Sequence, residues 1–289
     1  MTSRPRTRQI EIALPIQAPL EAVWAALTDP EELTRWFPLE AGVVPGEGGK
    51  IRLSWGTEMV NEGRIRAWEP PRRLVTGWGA ERQDGPGGDA QPAPGSWEET
   101  FRGDPEGAAA LAVEYTIEAQ AGTTVLRMVH SGFRADARWD DEYESHRRGW
   151  SFELRSLRHY LENHRGTSRR VDWVRLPIAL SREEAWARVM GRGGLVREGT
   201  IDGLREGERC ALTTVHGDRL EGIVQVLNPP LDFALTVEGW GNALLRYGYE
   251  TFSGTPEAHL WLSTWGRPAA PVERFRARWQ ETLGGLLRA

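Results

Sequence analysis

Six histidines, one cysteine and fourteen tryptophans are the side chains of this 289-residue chain with the widest chemical reach. The histidines contain no HExxH pair, and His159 and His164, five apart, are expected on different faces of a helix, so no metal site is implied. Cys210 stands alone, which excludes an intrachain disulfide and a cysteine-clustered zinc site; in its strand-like run it reads as a core residue. Gly46-Glu47-Gly48-Gly49-Lys50 ends like a phosphate loop, but Ile51 stands where Ser or Thr is required and a strand follows instead of a helix. It reads as a turn. There is no Gly-x-Ser-x-Gly elbow. Nothing in these spacings calls for a cofactor.

His130 is the most informative polar residue. Leu126, Met128 and His130 share strand parity, so a leucine facing inward takes the histidine with it. Inside an apolar cavity a histidine could orient the polar end of a ligand or act as acid or base. The competing reading is that it bonds a neighbouring backbone group or the last helix and ends the strand. Asn61 shares parity with Met59, Gly63, Ile65 and Ala67 and is a second polar candidate. Trp36, Leu53, Trp55, Ile65, Trp78, Tyr115, Met128, Trp150 and Leu154 are candidate walls, although periodicity alone does not separate a wall from solid core.

The elements that would position these residues occur twice. Leu14-Pro15-Ile16, Glu21 and Trp24 recur as Leu176-Pro177-Ile178, Glu183 and Trp186, at a spacing of 162. Glu62-Gly63 and Pro70-Pro71 recur at 159, Tyr115 as Tyr247 at 132, and Trp150 as Trp279 at 129. Preserved order with stepwise shorter spacing is the mark of a tandem duplication with insertions in the first copy. The largest step spans a Gly/Pro-rich run, 79–95, read as a surface loop, with Trp97–Phe101 as a short extra strand.

Each unit opens with an alternating strand (Ile10, Ile12, Leu14, Ile16), then two short helices, the second capped by Asp29 before Pro30. Strand-like runs follow at Ile51–Trp55, Met59–Trp68, Arg73–Trp78, Leu111–Glu118 and Thr124–His130. The last element, near Trp139 to Leu161, carries Trp139, Tyr143, His146, Trp150, Leu154, Leu157 and Leu161 at helical spacing. An α+β architecture follows, in which curved antiparallel strands wrap one long helix.

This arrangement resembles the helix-grip fold of the START-like, or SRPBCC, superfamily. Within it the chain resembles the family of the activator of the 90-kDa heat-shock protein ATPase. The resemblance rests on Ala18-Pro19 with Val23-Trp24-Ala25-Ala26-Leu27, on Glu62-Gly63 followed by Pro70-Pro71-Arg72-Arg73-Leu74-Val75, on His130-Ser131-Gly132-Phe133 and on Gly149-Trp150. It implies two tandem START-like domains, 8–164 with an insertion near 79–110, and a divergent 170–289. The second copy has Ser263-Thr264-Trp265-Gly266 at the His-Ser-Gly-Phe segment, with Thr264 in the place of the histidine.

Thirty-six basic against forty-one acidic residues, a net charge of −5, argue against a chain built for nucleic acid. No apolar run nears the roughly 20 residues of a membrane span, so a cytoplasmic protein is expected. The leading expectation is non-catalytic binding of a small apolar ligand in the first domain, at Trp36, Leu53, Trp55, Asn61, Ile65, Tyr115, Met128, His130, Trp150 and Leu154. The 79–95 loop would act as its lid. The family resemblance implies a second class, a stress-response regulator of a heat-shock ATPase. START-like relatives imply a third, an enzyme of aromatic substrates. Fusion of a duplicated domain suggests that the copies pack as a pseudo-dimer within a monomeric chain.

Overall fold

The computed structural model describes residues 6–56, 59–78, 110–252 and 255–288. The proposed lid at 79–95 and the extra strand at 97–101 lie outside the described residues. The chain divides into two compact units, Met1–Gly166 and Thr167–Ala289.

The first unit runs β1 (Thr7–Ile16), α1 (Leu20–Thr28), α2 (Pro30–Thr34), β2 (Glu40–Val43), β3 (Lys50–Ser54), β4 (Val60–Glu69), β5 (Arg73–Trp78), β6 (Ala112–Gln120), β7 (Thr123–Arg134) and α3 (Asp140–Asn163). Its strands form one antiparallel sheet in the order β1-β7-β6-β5-β4-β3-β2. Alternation places Ile10, Leu14 and Ile16 of β1 in the core. Asp29 accepts from the backbone N–H groups of Glu31 and Glu32 at 2.8 and 3.2 Å, so the expected cap of α2 forms beside Pro30.

The second unit repeats the order with β8 (Arg169–Pro177), α4 (Arg182–Met190), β9 (Val196–Glu198), β10 (Arg209–Thr214), β11 (Arg219–Asn228), β12 (Asp232–Val237), β13 (Ala243–Phe252), β14 (Thr255–Trp265) and α5 (Ala269–Leu286). Its sheet order, β8-β14-β13-β12-β11-β10-β9, is that of the first. The two domains are therefore tandem helix-grip units. A Ser181–Glu184 capping box starts the single helix α4 where the first copy has two short helices.

Shared details explain the repeated motifs. A Cβ on Gly63 would lie 2.6 Å from the Gly77 carbonyl oxygen, and one on Gly222 would lie 2.0 Å from that of Thr236. Both glycines thus allow a close strand approach, and the register shift falls just beyond them, between Ile65 and Ala67 and between Val224 and Val226. Both Pro-Pro pairs, Pro70-Pro71 and Pro229-Pro230, are cis.

The two long helices differ in how they seat. On α5 the inward stripe of Val272, Phe275, Trp279 and Leu283 is buried along its length. On α3 only the C-terminal half is sealed, by Leu154, Leu157 and Leu161, whereas Tyr143, His146 and Trp150 are half-buried. The N-terminal half of α3 is tied to β1 by polar contacts, the Tyr143 hydroxyl donating to the Gln9 carbonyl at 3.2 Å and Asp140 pairing with Arg8.

Candidate functional site

The half-buried stretch of α3 lies over the end of β7, where a glycine shapes the chain. Gly132 has φ +100°, and the β1–β7 register slips here, pairing Gln9 with Ser131 but Arg8 with Phe133. A Cβ on Gly132 would meet the Ala110 carbonyl oxygen at 2.3 Å. The bulge brings Phe133 together with His130: their ring centroids are 4.6 Å apart, and both are buried.

His130 is 2% exposed. The indole N–H of Trp150 donates to His130 Nδ1 at 2.9 Å. Because an indole nitrogen can only donate, Nδ1 must be the acceptor, and the neutral ring carries its proton on Nε2. That Nε2 is buried and has no hydrogen-bond partner among the described residues. Burial, and then the neighbouring His146, hold the ring's pKa well below the ordinary histidine value, so His130 stays neutral. The bond to the last helix, one of the two sequence readings of His130, thus accounts for one ring nitrogen and leaves the other unused.

His146 sits one turn before Trp150, with its ring 5.2 Å from that of His130 and 5.4 Å from Phe133. Its Nδ1–H donates to the Glu142 carbonyl at 2.8 Å, since a carbonyl oxygen can only accept. The Glu142 carboxyl, 3.7 Å from the same nitrogen, is pushed up to about 7 by burial and then by Asp141.

On the other side of Trp150 lies an aromatic group. Tyr115 meets it edge-on at 6.2 Å and Phe37 lies tilted against it at 5.5 Å, and Phe37 in turn meets Trp55 edge-on at 5.0 Å. Phe37, Trp55, Asn61 and Trp150 are all half-buried. Burial, then the charge of Glu153, push the Tyr115 hydroxyl above its ordinary pKa, so it is a neutral O–H at physiological pH.

The structure separates the sequence candidates into two sets. Trp55, Tyr115, His130 and Trp150 come together, and Asn61 pairs with Leu53 at the neighbouring sheet position. Leu53, Ile65, Met128 and Leu154 are core side chains, and Trp36 is fully buried with its N–H bonded to the Ala26 carbonyl at 2.8 Å. Trp78 is half-buried. Sequence reasoning missed Phe37 as a site residue, because parity has no meaning in the turn after α2. It also passed over His146, whose signal was its place four residues before Trp150 on the same stripe.

Two further expectations are corrected. His159 and His164 are not on separate faces: the rings meet at 5.0 Å, because α3 ends at Asn163 and His164 leaves the helical conformation with φ −134°. The residue in the place of His130 in the second copy is not Thr264. Tyr115 pairs with Met128 and Tyr247 with Leu260, while Ile10 pairs with His130 and its counterpart Asp172 with Leu262. Both ladders make Leu262 the equivalent of His130. Trp279 therefore faces the wrong residue type: its buried N–H, and the hydroxyl of Tyr247, have no partner among the described residues.

Among the described residues no three metal-capable side chains come together, and no helix is long and apolar enough to cross a membrane. The site can therefore stack an aromatic or apolar body and offer it a hydrogen bond.

Residues 17–162 match the family described as Activator of Hsp90 ATPase homolog 1-like protein. No curated protein matches the chain in sequence. Among solved structures, the Aha1 dimer from Colwellia psychrerythraea is 17% identical, over 55% of this chain and 99% of its own, with a TM-score of 0.43. Two similar structures span the duplication. DynU16, a putative protein in the dynemicin biosynthetic locus, is 18% identical over 96% of both chains, with a TM-score of 0.41. The di-domain ARO/CYC BexL from the BE-7585A biosynthetic pathway is 14% identical over 97% of both chains, with a TM-score of 0.40. With the family match extending over its first domain and the same strand order repeated in its second, the chain belongs to the family of Activator of Hsp90 ATPase homolog 1-like proteins, in a tandemly duplicated form.

Proposed function

We propose that the first domain binds a small apolar ligand without transforming it, against Phe37, Trp55, Tyr115 and Trp150, with His130 at the polar end. The observation that carries this reading is the unequal seating of the long helices. The stripe of α5 is buried from Val272 to Leu283, whereas that of α3 is only half-buried at Tyr143, His146 and Trp150. A row of large aromatic side chains left half-buried beside a sheet is the setting in which an apolar guest gains most from leaving water, at about 25 cal/mol per Å² covered. Leu53, Asn61, Ile65, Met128 and Leu154 back this surface, and Trp36 supports Phe37 by stacking at 4.9 Å.

Native mass spectrometry of the freshly purified full chain tests the reading. The expected result is a small-molecule adduct lost on denaturation, or binding of naphthalene to the emptied protein that weakens at least tenfold in Trp55→Ala. A bare chain that also fails to bind naphthalene refutes it. We infer in addition a cytoplasmic, monomeric protein, for which light scattering should return a mass near 32.5 kDa.

The family match supports a second reading, a regulator of a heat-shock ATPase. Stimulation of that ATPase by the purified chain would favour it, and the loss of stimulation on saturating the apolar site would join the two.

A further inference from the structure

The proton inventory of the site constrains what its occupant can be. The Nδ1 of His130 is taken by the Trp150 N–H at 2.9 Å, which leaves Nε2–H as the ring's only free function, and it is a donor. It is buried without an acceptor among the described residues. An unpaired buried donor carries an uncompensated desolvation cost, which an incoming acceptor would recover. The His146 ring lies 5.2 Å from that of His130, on the half-buried stretch of α3, and its side chain is 21% exposed.

Resting on the apolar-ligand reading above, we propose that His130 makes the site selective for neutral molecules bearing an acceptor oxygen (an aromatic ketone, quinone or ester), received on Nε2–H when His146 turns aside. Trp150 is the positioning residue: its N–H fixes the tautomer that can donate. A hydrocarbon of the same shape leaves the donor unpaired. An alkylamine, protonated at neutral pH, presents only donors and a charge to it. A carboxylate is not favoured either, because the buried ring resists the positive charge that would pair with it. The second domain supplies the comparison within one chain. With Leu262 at the equivalent position it has no histidine donor, and its unpaired Trp279 N–H and Tyr247 hydroxyl lie beneath a sealed helix stripe, so the selectivity belongs to the first domain.

The test is calorimetric titration of the full chain with naphthalene, 2-acetylnaphthalene and 2-(aminomethyl)naphthalene. The ketone is expected to bind about tenfold more tightly than naphthalene, equivalent to about 1.4 kcal/mol, and the amine more weakly than either. His130→Leu combined with Trp150→Phe, which removes both the imidazole donor and the indole N–H that would be freed, should bring ketone and hydrocarbon within about twofold. His130→Gln, which keeps an acceptor oxygen and an N–H donor group, should restore part of the preference. Equal binding of ketone and hydrocarbon to the wild type overturns the selectivity and leaves the apolar-ligand reading intact. If none of the three binds, both fall. Should the double variant not fold, the wild-type ¹⁵N spectrum decides: a proton found on Nδ1 overturns the proposal, and one on Nε2 whose signal moves with added ketone supports it.

Discussion

The same substitution made in both copies separates hydrogen bonding from burial. Trp150 and Trp279 occupy equivalent places on α3 and α5, yet Trp279 is only 3% exposed while Trp150 is half-buried. On burial alone, replacing the indole by phenyl should cost more at Trp279. The lost ring atoms leave a gap worth roughly 1–2 kcal/mol at a sealed site and less at a half-open one. Hydrogen bonding works in the opposite direction. Trp150→Phe removes the donor to His130 and leaves Nδ1 buried and unpaired, a cost of about 1–3 kcal/mol. Trp279→Phe removes an N–H that has no acceptor among the described residues and recovers a similar amount. The expected totals are about 2–4 kcal/mol for Trp150→Phe and near zero for Trp279→Phe. Urea unfolding of the full chain, followed by hydrogen exchange of the α3 and α5 amides, reads each domain separately. A Trp279→Phe cost exceeding that of Trp150→Phe would refute the argument and make Leu262 an adequate replacement for His130.

Three further outcomes are expected. Gly132→Ala puts a Cβ 2.3 Å from the Ala110 carbonyl oxygen at φ +100°, so it should destabilise the first domain by about 2–4 kcal/mol and weaken the Trp150–His130 bond, visible as a changed indole N–H shift. Asp29→Ala strips the cap from α2 and should cost about 1 kcal/mol in the same unfolding measurement, with Asp29→Asn retaining most of it. The carboxyl of Glu142, pushed up from 4.5 to about 7, binds more protons folded than unfolded. Its contribution is therefore complete below about pH 4.5 and is lost as pH rises through 7, so Glu142→Gln should raise Tm at pH 8 relative to wild type and leave it nearly unchanged at pH 4.5. His130, whose folded pKa is lowered, slopes the other way: its contribution is present above 6.5 and lost as pH falls. An unaltered pH profile in Glu142→Gln would show that the carboxyl is not held neutral.

The strands and long helices were legible because alternation and helical spacing act over many residues, and because each pattern appears twice. The site was only partly legible. Parity put His130 on the inner face beside Met128, and aromatic content put Trp55, Tyr115 and Trp150 near it. Parity could not say which of the adjacent Trp36 and Phe37 turns inward to the core and which to the site, since both lie in a turn where no period applies. The error at Thr264 has a different origin. Matching the His-Ser-Gly-Phe segment by motif, without a shared residue type to anchor it, placed the counterpart two residues too far along, where the Tyr115–Tyr247 spacing of 132 leads to Leu262. The bulge at Gly132 acts only beyond that point: Ser131 corresponds to Ser263, but Phe133 corresponds to Thr264.

The two copies therefore differ at linked points. The first has the bulge at Gly132, the histidine ahead of it and the half-buried helix stripe above it. The second has an unbroken strand, Leu262 and a sealed stripe. Histidine in a sealed core without a second acceptor would be a steady cost, and leucine beneath a half-open helix would remove the imidazole donor and leave the Trp150 N–H without its acceptor. Each histidine-or-leucine choice suits the packing of its own copy. Leu262→His should consequently give Trp279 its acceptor and yet create no binding site, because the stripe from Val272 to Leu283 stays closed. The expected result is a stabilised Trp279 N–H with no gain in 2-acetylnaphthalene binding stoichiometry. A second equivalent of bound ketone would show that the residue at this position, and not the seating of the helix, decides which domain binds.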